Sequence, residues 1–143
     1  MTSVSIITRR LQENKTYDDF RRAWYHSVGF GTETKLFTLI NVLDAREIIV
    51  IGFVDIQPGQ DPAEILQIDV KERLDHPLGD VIEPNVGRTL GILVSEDDFS
   101  DAGVMQYRQA SVKGKATDFN EIEMGLAIAG ELMNRAKINL NKK

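Results

Sequence analysis

The sequence predicts an α+β fold, an antiparallel sheet with helices packed on one face. Three observations support this prediction. Apolar segments with strand character and two helical segments follow each other in the order β-α-β-β-α-β. Residues 36–43 and 48–54 are apolar at nearly every position, which is typical of strands that are covered on both faces. A long amphipathic segment after the last strand predicts a C-terminal helix.

The first half of the chain is predicted to supply a strand, a helix and a strand pair. Thr16 is the expected N-cap of the helix, with Asp18 and Asp19 in the first turn, where the helix dipole favours carboxylates. The segment Asp44-Ala45-Arg46 has a length that suits a hairpin connection. The predicted elements are a strand at 4–11, a helix at 16–28 and strands at 35–43 and 47–56.

The second half is predicted to add a helix, a strand and a long terminal helix. Asp61 caps the first of these helices and Pro62 takes its first position. Within that helix, Leu66, Val70, Arg73 and Leu74 fall at helical spacing. A fourth strand follows at 88–95, residues 104–112 are ambiguous between strand and helix, and a helix runs from residue 117 or 118 to about 140. Its apolar stripe contains Phe119, Ile122, Leu126, Ala129, Met133, Ala136 and Leu140.

The order of these elements is that of a ferredoxin-like unit. We assign residues 1–98 to this unit and residues 99–143 to a C-terminal extension of the same domain. In such a unit the two helices cover one face of the sheet. The other face should then be polar in a monomer, yet both alternate sets of the second and third strands are mostly apolar. Leaving about six such side chains in water would cost on the order of 10 kcal/mol, so we expect a homodimer through the sheet face. The alternative is that the C-terminal helix covers the sheet of its own subunit.

Composition argues against several classes of partner. The formal net charge of −5 and the scattered basic residues disfavour nucleic acid. The two histidines share no ligand spacing and cysteine is absent, so no metal site is expected. No secretory signal begins the sequence and no apolar run could span a bilayer, so a cytoplasmic protein without membrane contact is expected.

Three features of the sequence are shared with a known group of proteins. They are the element order, the strands that are apolar on both faces, and the helix start Thr16-Tyr17-Asp18-Asp19-Phe20-Arg21-Arg22-Ala23-Trp24. In these features the chain resembles the dimeric α+β barrel superfamily. This superfamily includes antibiotic-biosynthesis-type monooxygenases, muconolactone isomerases and stress-response proteins. The resemblance covers residues 4–98. It implies two ferredoxin-like subunits that close one barrel, a pocket between each sheet and its helices, and, in an enzyme, a cofactor-independent oxygenase or isomerase.

Four residues are candidates for the site, namely Tyr17, Trp24, Arg10 and Asn41. Tyr17 and Trp24 lie on the inner stripe of the first helix, where they would either bind an aromatic ligand or belong to the core. Arg9 and Arg10 point to opposite faces of a strand, so at least one should face covered space. The alternatives are that both are solvated or that one pairs with Asp44 or Asp55.

Asn41 is the strongly polar residue in an apolar strand set and would contact either the sheet or a ligand. In an enzyme of the resembled type, Arg10 and Asn41 would stabilise an oxyanion. His26 is placed near solvent, on the face of the first helix that lies opposite Phe20. The alternative function is a non-catalytic ligand-binding or assembly protein, in which the small residues Gly125, Ala129 and Gly130 would serve subunit packing.

Overall fold

The computed structural model describes residues 1–103 and 107–140. The chain divides into two compact units, one formed by Thr2–Gly91 and the other by Ile92–Lys143 together with Met1. In chain order the elements are β1 Thr2–Arg10, α1 Tyr17–Ala23, β2 Thr34–Asn41, β3 Asp44–Asp55, α2 Pro62–Asp75, β4 Gly87–Ile92, β5 Ser111–Val112, β6 Lys115–Ala116 and α3 Phe119–Leu140.

The main sheet has four antiparallel strands in the order β2-β3-β1-β4. This confirms the predicted α+β class, and the strand order is consistent with a ferredoxin-like fold. In the register of β1 and β3, Ile7 stands opposite Val50 and Arg9 opposite Ile48. Side chains directly opposite each other share a face, so these four residues lie on one face of the sheet, and all four are buried.

The hydrophobic core lies on this covered face. Phe20 of α1 and Ile48 of β3 are its most completely buried large side chains. The segment between α2 and β4 supplies three further members, because the chain turns back there across the end of the sheet. The buried cluster consists of Leu11, Phe20, Ile48, Val50, Leu78, Val81 and Ile82.

Helix α1 begins as predicted and ends five residues early. The Thr16 hydroxyl accepts from the Asp19 backbone N–H at 3.2 Å, and the Asp19 carboxylate accepts from the Thr16 backbone N–H at 2.7 Å, which completes a capping box. The predicted continuation to residue 28 is wrong, because Trp24 has an extended backbone with φ −92° and ψ 119°. Helical spacing therefore does not determine which way the side chains after Trp24 point.

One further expectation is corrected in the same unit, and another is confirmed. The turn between β2 and β3 is formed by Val42 and Leu43, while Asp44-Ala45-Arg46 belongs to β3. Asp61 and Pro62 begin α2 as predicted. Of the residues at helical spacing in α2, Val70 and Leu74 are exposed, and the buried residue of that helix is Glu72.

The opposite face of the sheet is apolar and substantially exposed. Ile6 is 37% exposed, Phe37 53% and Leu39 46%. The rings of Phe37 and Phe53 meet edge to face with centroids 5.9 Å apart. We call this surface the open face, and it contains Val4, Ile6, Phe37, Leu39, Ile49, Ile51 and Phe53.

The C-terminal unit contains a short hairpin and α3. Strands β5 and β6 pair across a turn at Lys113 and Gly114, both with positive φ. Helix α3 occupies the predicted range, and its Ile122 is buried. A Cβ at Gly125 would lie 2.6 Å from the Met1 sulfur, so a glycine permits this approach. No helix among the described residues is long and apolar enough to cross a membrane.

Part of the predicted stripe of α3 is exposed, at Phe119 and Leu126. The side chains of Ala129, Met133, Ala136 and Leu140 lie outside those that the structure describes, as do residues 104–106 of the segment that the sequence left ambiguous. Within that segment, Ser111 and Val112 form a strand.

Candidate functional site

A concave feature of the described residues lies where the chain leaves α1 and enters β2. It is an open cleft of about 610 Å³. The chain turns at Gly31, whose φ of +73° is a conformation that favours glycine. We call this feature the cleft, and its lining residues are Trp24, His26, Val28, Gly29, Phe30, Gly31, Thr32, Thr34 and Leu36.

Three rings in succession form one wall of the cleft. The ring centroids of Trp24 and His26 lie 5.5 Å apart, and those of His26 and Phe30 lie 5.1 Å apart. Leu36 contributes an aliphatic side chain from β2. An aromatic wall beside an aliphatic side chain suits a flat apolar molecule.

His26 is the titratable side chain in this wall. Its Nε2 lies 3.2 Å from Asp69 Oδ1 on α2, and its side chain is only 13% exposed. Its Nδ1 is buried without a hydrogen-bond partner among the described residues. The expected position near solvent is wrong, because α1 ends before residue 26 and the helical face used for that prediction does not extend so far.

The buried carboxylate of Glu72 anchors the segment that carries the cleft. It accepts hydrogen bonds from the Ser27 backbone N–H at 2.9 Å and from the Ser27 hydroxyl at 2.7 Å. These two bonds lower the pKa of Glu72 from 4.5 to about 2. His76 Nε2 lies 3.7 Å from the same carboxylate. The position of residues 24–30 is therefore held by a charged group on α2.

A cluster of arginine side chains includes one that contacts the Trp24 ring. The Arg73 guanidinium carbon is 5.2 Å from the centroid of the Trp24 ring. Arg9 is only 3% exposed, and burial together with the positive charges of Arg88 and Arg73 lowers its pKa to about 10. Burial also lowers the pKa of Arg73, against the nearby carboxylates of Asp69 and Glu72. We call Arg9, Arg73 and Arg88 the arginine cluster.

The two predicted ligand-binding residues, Trp24 and Tyr17, lie in different places. Trp24 lines the cleft, while Tyr17 packs on the core with its ring centroid 6.2 Å from that of Phe20. The ring of Phe20 stacks in turn on Trp24, with 6.5 Å between centroids. A ligand role for Trp24 and Tyr17 stays a prediction, and only Trp24 is among the residues that line the cleft.

The predicted oxyanion stabilisers lie together at the hairpin end of the sheet. Arg10 forms ion pairs with Asp44, which one of the alternatives names as its partner, and with Glu83, which none of them names. Asn41 Oδ1 accepts from the Leu43 backbone N–H at 2.9 Å, and Asn41 Nδ2 donates to Glu47 at 3.4 Å. Neither residue is among those that line the cleft, and their catalytic role stays a prediction.

Sequence reasoning committed to none of Arg9, His26 and Arg73 as site residues. Arg9 could have been found, since one of two adjacent strand arginines had to face covered space. Arg73 carried a second signal, a cation within an otherwise apolar helical stripe. No cluster of three or more metal-ligating side chains occurs among the described residues.

No family model, curated protein or solved structure matches the chain. The geometry of the site therefore carries the functional argument.

Proposed function

We propose that the protein binds an aromatic or otherwise apolar small molecule in the cleft. The observation that carries this proposal is the wall that Trp24, His26 and Phe30 form in the cleft. A volume of about 610 Å³ is in the range of small-molecule sites, which span roughly 300–1,000 Å³. Such sites combine apolar walls with a few polar groups, and here Thr34 and His26 supply the polar groups.

We further propose that two copies of the chain pair through their open faces, as in a dimeric α+β barrel. The open face is a contiguous apolar patch around Phe37, Leu39 and Ile6, and patches of this kind mark interfaces. A second copy offers the same surface, so a twofold dimer would match apolar against apolar on both sides. Each subunit would keep its own cleft, because Leu36 and Thr34 point to the other face of β2.

Catalysis in the cleft is a second candidate function, favoured by the contact between His26 and Asp69. A carboxylate that holds an imidazole in one orientation is a common arrangement for a general base. His26 would take a proton from one carbon of the ligand and return it to another, which is an isomerisation that needs no cofactor. The predicted oxyanion role of Arg10 and Asn41 stays a separate prediction, because neither residue lines the cleft.

The experiment combines native mass spectrometry with calorimetric titration of purified protein. Native mass spectra should show a dimer at micromolar concentration and a co-purified small molecule whose mass indicates its class. Naphthalene-type and phenyl-type compounds should bind the wild type, and Trp24→Phe should weaken this binding about 2- to 10-fold through loss of ring contact. Tyr25→Phe is the matched control, since Tyr25 is an adjacent aromatic residue outside the cleft lining.

Two results would contradict the proposal. Equal binding by wild type and Trp24→Phe would place any ligand elsewhere. A monomer at concentrations of tens of micromolar would remove the dimer. The isomerase candidate would lose its basis if His26→Gln left turnover of a bound ligand unchanged.

A further inference from the structure

The arginine cluster holds more positive charge than its surroundings compensate. Arg9 Nη1, Arg73 Nε and Arg73 Nη1 are all buried without a hydrogen-bond acceptor among the described side chains and backbone. The remaining Arg73 contact, from Nη2, is to the carbonyl oxygen of Tyr25, which is neutral. No described carboxylate forms an ion pair with Arg9 or Arg73 within 4.0 Å.

The two carboxylates nearest to the cluster are engaged elsewhere. Asp69 contacts His26, and Glu72 accepts both hydrogen bonds from Ser27. They attract Arg73 only at longer range. A buried guanidinium without a paired anion is costly, and arginine presents a planar fork of donors that matches carboxylate and phosphate groups.

We propose that Arg9 and Arg73, with the exposed Arg88 at the solvent side, bind an oxyanion, and that this oxyanion is the carboxylate or phosphate group of the molecule held in the cleft. This inference rests on the proposed function. Trp24 connects the two sites, since its ring lines the cleft and also contacts the Arg73 guanidinium. Arg9 and Arg73 are not among the residues that line the cleft, so the acid group of the ligand would extend past the Trp24 ring to reach them. The ligand class that fits both sites is an aromatic or apolar acid.

The depressed pKa of Arg9 agrees with this reading. Burial is the largest cause, the like charges of Arg88 and Arg73 add to it, and Asp69 opposes it without offsetting the burial. An anion bound between Arg9 and Arg73 would raise both pKa values again. Ligand binding and the charge state of the cluster are therefore coupled.

The test compares matched compounds on the full chain by isothermal titration calorimetry at constant ionic strength. The probes are benzoate, phenyl phosphate, the neutral benzyl alcohol and inorganic phosphate. Benzoate or phenyl phosphate should bind at least about 10-fold more tightly than benzyl alcohol, because hydrogen bonds to charged groups are the strong ones. Whichever of benzoate and phenyl phosphate binds more tightly indicates whether the ligand carries a carboxylate or a phosphate.

Variants assign the preference to the cluster. Arg9→Met and Arg73→Met should each reduce the affinity for the preferred acid about 10- to 100-fold while leaving that for benzyl alcohol unchanged. Arg21→Met is the matched control, since Arg21 is exposed on α1 and no described group forms an ion pair with it. Arg9→Lys keeps the charge without the fork and should lose most of the preference while retaining the fold.

A thermal measurement separates this role from a structural one. Without ligand, Arg9→Met should melt at a higher temperature than wild type, because it removes a buried charge that lacks a partner. A lower melting temperature of both Arg9→Met and Arg9→Lys would mean that Arg9 supports the fold through internal pairing, and would overturn the proposal.

The remaining outcomes distinguish this inference from the proposed function. Equal affinity for benzoate and benzyl alcohol would overturn the anion site and leave the cleft as a neutral site. An acid preference that persists in Arg9→Met and Arg73→Met would overturn it as well. A third outcome is that inorganic phosphate binds as tightly as phenyl phosphate and that both variants abolish this binding. It would support the anion site and contradict the aromatic cleft.

Discussion

The open face yields the sharpest prediction about assembly. Leu39 lies on the edge strand β2 of this face and is 46% exposed. Full burial of a leucine side chain is worth about 1.5–3 kcal/mol, so covering the exposed half contributes about 1 kcal/mol for each copy. In a twofold dimer Leu39 occurs twice, and Leu39→Glu would also bury two carboxylates at a cost of several kcal/mol each. The dissociation constant of the dimer should therefore rise more than about 1,000-fold.

Sedimentation velocity at 1–100 µM protein, a range of about two decades, measures this change directly. Wild type should sediment as a dimer and Leu39→Glu as a folded monomer with unchanged far-ultraviolet circular dichroism. Leu74→Glu is the matched control, because Leu74 is exposed on α2 and lies outside the open face. Dimers of equal stability in wild type and Leu39→Glu would refute the reasoning, as would dissociation caused equally by Leu74→Glu.

The remaining predictions concern the fold that holds the cleft. The lowered pKa of Glu72 means that its interactions stabilise the fold fully above about pH 4.5 and are lost as the pH falls towards 2. In urea denaturation, Glu72→Gln should therefore reduce the loss of unfolding free energy between these pH values. An unchanged loss would contradict the assignment. Phe20→Ala should lower the free energy of unfolding by about 3–5 kcal/mol, whereas Phe99→Ala, at an exposed site, should change it by less than about 0.5 kcal/mol; similar losses would disprove the placement of the core. Gly31→Ala should cost about 1–2 kcal/mol because of its positive φ, and Gly29→Ala, which has open space around its Cβ position, should cost less in the same assay.

The order of the main elements along the chain could be predicted because it depends on local signals. Runs of apolar residues bounded by turn residues are enough to number the strands, and Asp61 followed by Pro62 is a start signal that acts within one helical turn. The capping box at Thr16 is equally local. These features need no knowledge of what packs against them.

The site could not be predicted to the same extent, because it depends on tertiary contacts. The end of α1 is set by Trp24 turning towards Arg73 and Phe20, and periodicity alone continues the helix. The sequence indicates that Arg9 and Arg10 face opposite ways, but only the register decides that Arg9 shares the face of Ile48. The choice of Arg10 as a site residue followed from that missing information.

The turn between β2 and β3 illustrates the same limit. Two apolar residues, Val42 and Leu43, occupy it in full exposure, although turns usually carry polar residues or glycine. The side chain of Asn41 stabilises this turn by accepting from the Leu43 backbone N–H. The length of the connection favoured Asp44-Ala45-Arg46 instead, and Asp44 serves as the partner of Arg10.

The most direct measurement of the central claim uses the intrinsic fluorescence of Trp24, the single tryptophan of the chain. Since its ring lines the cleft, a ligand that enters must change the surroundings of this one fluorophore. Titration with phenyl phosphate, which does not absorb where tryptophan is excited at the red edge, should give a saturable change in emission that Arg73→Met weakens. An emission spectrum that stays constant to millimolar concentrations of aromatic acids and neutral aromatic compounds would contradict the account.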